Sequence, residues 1–157
     1  MSDLGLFQAY GIEIEYCIVD RKTFKVAPLA DRLLEIAAGR PVSDFEDGPV
    51  SWSNELVKHV IEFKTTRPRA SLTNLAKDFH RSILKADKIL STLGATLVPT
   101  AMHPTMNPLT ETTLWELNNL EIYESFDRLF GCKGHGWSNL QSMHINLPFA
   151  DDKEFRR

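Results

Sequence analysis

The chain has 157 residues, 43% of them apolar and 25% charged, an ordinary globular composition with enough length to bury one core. A net charge of −3 and a pI near 5.9 argue against a nucleic-acid partner, because no basic stripe is present to neutralise phosphates. No apolar run approaches the ~20 residues of a membrane span, the start lacks a basic leader region, and Cys17 and Cys132 make no disulfide framework, so a soluble, reducing, cytoplasmic setting is expected.

Residues 6–19 read as the first strand. Within it, Gly11-Ile12-Glu13-Ile14-Glu15-Tyr16 alternates acidic and apolar side chains. Strand faces alternate, so Glu13 and Glu15 point the same way, roughly 6.6 Å apart, while Ile12, Ile14 and Tyr16 take the other face. Like charges on one sheet face repel unless a cation sits among them. A hard divalent ion such as Mg²⁺, which prefers carboxylate and phosphate oxygens, is the natural tenant. Cys17 reads as a small core residue.

A polar turn at Asp20-Arg21-Lys22-Thr23 leads to residues 24–28, a possible hairpin return. Residues 31–38 read as a short helix stopped by Gly39. Residues 41–52 read as a loop carrying Asp44, Glu46 and Asp47 before Gly48-Pro49.

Residues 54–65 read as a second acidic strand with Glu55 and Glu62. Seven positions separate the two glutamates, an odd number, so a regular strand cannot point both the same way. Either a bulge intervenes or Glu55 sits at the strand's entrance, and Glu62 is the better candidate for a shared site. Lys58 and His59, which flank it, are read as ion-pairing or packing residues. The basic run from Lys64 to Arg69 is read as a solvated loop.

The clearest helix spans 71–93, with Leu75, Phe79, Ile83, Ala86 and Leu90 recurring on one stripe and Gly94 closing it. A short strand follows at 95–100, then Met102-His103-Pro104, extended ahead of the proline. A second helix is expected over 113–130, with Leu117, Leu120, Tyr123, Phe126 and Leu129 on one stripe and the aromatics Tyr123, Phe126 and Phe130 in the core. Residues 131–139 read as loop. His80 and His135 read as surface residues.

Residues 141–149 form a third strand-like run that puts His144 and Asn146 on one face, where imidazole and amide can donate to phosphate or help hold a metal. Asp151 reads as the cap of a helix that begins the last stretch. No repeat, low-complexity segment or linker divides the chain, which is expected to be a single domain over 1–157. The order of elements favours an antiparallel α+β sheet over alternating βαβ units.

Three separated motifs then fall into a recognisable order: Gly-Ile-Glu-Ile-Glu-Tyr, Glu55 with Glu62, and Met143-His144-Ile145-Asn146. Together they resemble the glutamate–cysteine ligase type 2 family of carboxylate–amine ligases, within the glutamine synthetase-like superfamily. Ala101-Met102-His103-Pro104 is similar to that family's Gly-Thr-His-Pro segment. Two departures stand out: Met102 replaces the family's usual threonine, and Asn146 replaces the second imidazole of a His-x-His strand. The resemblance covers nearly the whole chain but less than half of a typical member, so the chain is expected to be the N-terminal part of a longer ligase domain.

The resemblance implies an antiparallel sheet with helices packed on one face and a reaction in which ATP activates a substrate carboxylate as an acyl phosphate that an amine displaces. It implies that Glu13, Glu15, Glu55 and Glu62 hold Mg²⁺ or Mn²⁺, that His144 serves catalysis by donating to an ATP phosphate with Asn146 beside it, and that His103 shapes the substrate pocket or its loop. The partners implied are a small carboxylate, such as the amino acid glutamate, and an amine. Self-association into a homo-oligomer is expected if a sheet edge is left open. Other readings stay open: an enzyme of guanidine- or phosphoryl-transfer chemistry, which related sheets carry, a metal- and nucleotide-binding module without catalysis, and a purely structural protein.

Overall fold

The period-two alternation around Glu13 becomes the two faces of a six-stranded antiparallel sheet. The computed structural model describes residues 4–118 and 120–156. The central strand β1 (Gly11–Asp20) is long enough to take three partners. Strand β4 (Val60–Thr65) lies along one edge, pairing Glu13 with Lys64 and Glu15 with Glu62. On the other edge, β6 (Met143–Asn146) covers the first half of β1 and β5 (Ala95–Val98) the second half. Beyond β4 come β3 (Val50–Asn54) and the outer strand β2 (Asp44–Asp47), giving the order β2-β3-β4-β1-β5 with β6 attached to β1.

Two helices cover the apolar face: α1 (Ala30–Ala38) and α2 (Leu75–Thr92). Ile18, Trp52, Ile61 and Phe63 from the strands meet Leu33 and Leu34 of α1 and Phe79, Ala86 and Leu90 of α2 in one buried cluster. Trp52 and Phe63 meet edge to face with centroids 5.7 Å apart, and Tyr16 packs on Phe63 the same way at 5.7 Å. The Trp52 indole N–H donates to Ser82 Oγ at 2.5 Å, and that hydroxyl donates to Asp47 Oδ2 at 2.9 Å. A polar chain thus ties the sheet to α2 through the core. Gly39 ends α1 at φ 72°, a left-handed conformation that suits glycine.

The antiparallel α+β architecture is as expected, with several corrections in detail. The stretch 41–52 is not a loop: β2 and β3 form a hairpin there. Asp44, Glu46 and Asp47 have low strand propensity, but an edge strand tolerates charge. The run 54–65 is two elements, because β3 stops at Asn54 and β4 starts at Val60. The first strand begins at Gly11 rather than residue 6, and residues 24–28 contribute only the bridge Val26 to Val19.

The helix expected over 113–130 is α4 (Leu120–Phe130) alone. Before it, the Lys58 N–H donates to Thr113 O at 2.9 Å and the Trp115 N–H to Leu56 O at 3.0 Å, and the Trp115 side chain is fully buried. Burial of that indole and backbone pairing with 56–58 hold the segment extended against its helical periodicity. The stripe on α4 is not core: Phe126, Leu129 and Phe130 are exposed, and only Tyr123 packs at the margin of the buried cluster. The Leu120 side chain lies outside the described residues. A short helix α3 (Pro108–Glu111) precedes the extended segment, and α5 (His135–Ser138) occupies part of the stretch read as loop. The last element, α6 (Asp152–Phe155), is capped by Asp151, whose Oδ1 accepts from the Glu154 N–H at 2.7 Å; Arg157 lies outside the described residues. Among the described residues no helix is long and apolar enough to cross a membrane.

Candidate metal and phosphate site

Strand parity assembles a polar face opposite the helices. Ser53 on β3, Glu62 and Lys64 on β4, Glu13 and Glu15 on β1, and His144 and Asn146 on β6 all alternate with core residues such as Trp52, Phe63, Ile14 and Ile12. Each glutamate on this face has a distinct setting. Glu13 lies between Lys64 and His144 in register, with His144 Nδ1 3.1 Å from Oε2 and Asn146 Nδ2 donating to Oε1 at 2.8 Å. Because a carboxylate only accepts, Nδ1 of His144 carries the proton, which leaves Nε2 for another partner.

Glu15 is half-buried beside Glu62 and accepts the Ser142 N–H on Oε2 at 2.9 Å. Burial raises its pKa, the Ser142 bond opposes that rise, and Glu62 and Glu13 add to it. Glu62 is buried and accepts Ser53 Oγ–H at 2.7 Å, while Lys64 Nζ stands 3.2 Å from the same oxygen.

Glu55 lies in the connection between β3 and β4, as the odd spacing required if it sat at the strand's entrance. The five residues from Glu55 to His59 are pinned by the Ile18 N–H to His59 O bond at 2.8 Å and by His59 Nε2 on Ser138 O at 2.7 Å. Burial keeps the His59 imidazole below its ordinary pKa, so His59 packs as a neutral ring, and Lys58 pairs with Asp31 at 2.7 Å. The fold of this connection returns Glu55 to the polar face. Burial, followed by repulsion from Glu15 and Glu62, pushes its pKa up to about 7.

Two groups of three follow, Glu13/Glu62/His144 and Glu15/Glu55/Glu62, and in each the ligand atoms lie within 4.8 Å of one another. Glu62 belongs to both. The donors are carboxylate oxygens and one imidazole, a set that suits Mg²⁺ or Mn²⁺ better than a soft metal. Burial, and after it the nearness of Glu15 and Glu62, disfavours the charged form of Glu55, and a divalent ion among these carboxylates would favour that form again. The donor set therefore fits such an ion.

Two clefts open from the carboxylate row. One, of about 320 Å³, starts at Glu15 and Glu55 and is walled by Tyr123, Phe126, Trp137 and Leu140. The other, of about 350 Å³, starts at Glu13 and Lys64 and is walled by Tyr10, Thr66, Arg67 and Asn146. An aromatic cleft and a basic one thus flank the same acidic centre.

His103 is not brought into this centre. It is buried, its Nε2–H donates to Phe24 O at 2.7 Å, its Nδ1 accepts from the Thr105 N–H at 3.3 Å, and its backbone N–H donates to Asn139 at 2.7 Å. It holds the loop after β5 and lines a separate cleft with Val19, Phe24 and Val98. Sequence reasoning missed Lys64, Ser53 and Ser142 at the centre. Lys64 was within reach, since it stands two positions from Glu62 and so shares its face. Ser142 acts through its backbone, which sequence does not reveal.

The family model of glutamate-cysteine ligase family 2 matches residues 9–157. An uncharacterized protein of Archaeoglobus fulgidus is 37% identical over 145 residues, covering 92% of this chain. The chain spans 38% of that relative's length.

Proposed function

Because the chain belongs to glutamate-cysteine ligase family 2, we propose that it serves an ATP-dependent carboxylate–amine ligase, with the acidic face as its metal and phosphate site. The substrate carboxylate, from an amino acid such as glutamate, is activated as an acyl phosphate, and an amine then displaces the phosphate. The observation that supports this best is Glu62, shared between two three-ligand groups on one sheet face.

In this reading Glu13, Glu15, Glu55 and Glu62 hold Mg²⁺ or Mn²⁺, which when bound neutralise charge on the nucleotide phosphates. Glu13 orients His144 through Nδ1, so that Nε2 can meet a phosphate oxygen when protonated or a cation when neutral. Asn146 restrains the other Glu13 oxygen and so fixes the carboxylate between strands. Ser142 and Ser53 hold Glu15 and Glu62 by one hydrogen bond each. His103 stiffens the loop after β5.

A second reading, a metal- and nucleotide-binding module without turnover, draws on Asn146, which spends its amide on Glu13 where the resembling family has an imidazole. One experiment separates them. Mn²⁺·ATP is titrated calorimetrically into the protein and into the Glu13→Gln/Glu15→Gln double variant, and ADP is assayed with a carboxylate and an amine together and singly. Binding lost in the variant, with ADP formed only when both substrates are present, supports the ligase. Binding without ADP supports the module, and equal binding by both proteins removes the acidic face from the site.

A further inference from the structure

Lys64 places an ammonium inside the carboxylate row. Its Nζ lies 2.8 Å from Ser53 Oγ and 3.2 Å from both Glu62 Oε1 and Asp44 Oδ2. The Glu62 side chain is only 10% exposed, so Lys64 and Ser53 supply much of the compensation for burying its charge. Glu62 is also the carboxylate that both three-ligand groups share. Lys64 and Ser53 both sit on Oε1 of Glu62, and an ammonium and a divalent cation on one carboxylate repel each other and share its single charge. The lysine can yield. Its head sits on a flexible stem, its side chain is 32% exposed, and Asp44 on the outer strand offers it a second anchor that is 50% exposed. The basic cleft with Thr66 and Arg67 opens beside it.

We propose that Lys64 is the resting counter-cation of the acidic face, displaced from Glu62 when a divalent cation binds, so that competition with Lys64 sets the metal affinity. The inference rests on the metal reading above. Without metal, Lys64 and Ser53 hold Glu62 in place. With metal, its ammonium moves to Asp44 and the cleft, where a polyphosphate would meet it, and nucleotide and metal then favour each other's binding.

The test is calorimetric titration of Mn²⁺ alone into the wild type, Lys64→Met, Lys64→Gln and Lys64→Arg, with circular dichroism confirming each fold. The neutral variants should bind about tenfold more tightly, the scale of one unit charge a few ångströms from a divalent ion in a well-screened site. Lys64→Arg should stay close to the wild type. If Lys64→Met does not fold, Lys64→Gln, which keeps a hydrogen bond to Ser53, decides alone; if neither folds, Lys64 is structural and the proposal falls. Binding by the wild type that is equal or weaker in the neutral variants overturns the role of Lys64 and leaves the metal reading standing. Binding seen only in the neutral variants supports the proposal, and binding in none overturns both.

Discussion

Asn146 reaches Glu13 on a diagonal: its Nδ2 donates to Glu13 Oε1 at 2.8 Å, although its register partner on β1 is Gly11. The diagonal works because Gly11 has no side chain. A Cβ built there would lie 3.1 Å from Asn146 Cβ and 3.4 Å from its Nδ2. A glycine inside a strand ordinarily costs ~0.5–1 kcal/mol relative to alanine, so this one is held by the close approach and not by propensity. Gly11→Ala should therefore bring no gain in stability and should weaken Mn²⁺ binding several-fold by pushing Asn146 off Glu13. Thermal melts with Mn²⁺ calorimetry check both halves. A more stable variant with unchanged affinity would show that Asn146 does not position the carboxylate.

Glu13 and Glu15 share a face but differ in what neutralisation would do. Glu15 stands beside Glu62 and is partly buried, so Glu15→Gln relieves repulsion and should leave the fold equal or slightly more stable, while Mn²⁺·ATP binding drops by tenfold or more. Glu13→Gln gives up charge-assisted bonds to His144 and Asn146 and should lose both binding and a few tenths of a kcal/mol, as expected for exposed pairs. Denaturant melts beside calorimetry give the comparison. Unfolding of Glu15→Gln would make that carboxylate structural.

His144 separates holding a metal from using it. Its Nδ1–H is committed to Glu13, so Nε2, when it too carries a proton, is the atom that donates to a phosphate oxygen. Under the ligase reading, His144→Ala should lower kcat about 10²-fold, the usual scale for one lost transition-state donor, with a smaller loss of Mn²⁺ affinity. Single-turnover phosphoryl transfer measured beside metal binding makes the comparison. Unchanged turnover would remove His144 from the chemistry.

Parity carried most of what was legible. It paired Glu13 with Glu15 and His144 with Asn146, while the sheet register brings both pairs to one face with Glu62, and the 3- and 4-residue recurrence of Leu75, Phe79, Ala86 and Leu90 marked the buried stripe of α2. What escaped depended on distant partners. Asp44-Phe45-Glu46-Asp47 becomes a strand only because Val50 to Ser53 lies beside it. Residues 113–118 stay out of the helix because Trp115 is drawn into the core and the backbone pairs with 56–58. The periodicity of Phe126 and Leu129 correctly marks one side of α4, but periodicity cannot say whether anything covers it. Lys64 was lost by reading a basic run as a unit, when its first residue still belongs to the strand.

The link from Trp52 to Asp47 through Ser82 gives a stability test independent of the site. Ser82→Ala would leave the indole N–H of a fully buried tryptophan without its acceptor. The cost should be ~1–3 kcal/mol, that of an unsatisfied buried donor, with Mn²⁺ binding unchanged. Urea unfolding of the variant measures it. A loss under ~0.5 kcal/mol, within the range of ordinary surface changes, would mean that the indole finds another acceptor.

Glu55 makes metal-free stability depend on pH in a direction opposite to an ordinary salt-bridged carboxylate. Its folded pKa of about 7 lies above the ordinary value of 4.5, raised first by burial and then by Glu15 and Glu62. The folded state therefore binds a proton that the unfolded chain has released across this window. The stability this group contributes is fully present below 4.5 and is lost as pH rises through about 7. Partial solvation of the carboxyl reduces the loss to about 1–3 kcal/mol. Urea melts of the metal-free protein between pH 4.5 and 8 should show that decline, and Glu55→Gln should flatten it. Mg²⁺ should flatten it in the wild type as well, because a cation among Glu15, Glu55 and Glu62 replaces the proton. A decline that survives Glu55→Gln would assign the titration to another group, and one that Mg²⁺ leaves untouched would place the ion away from Glu55.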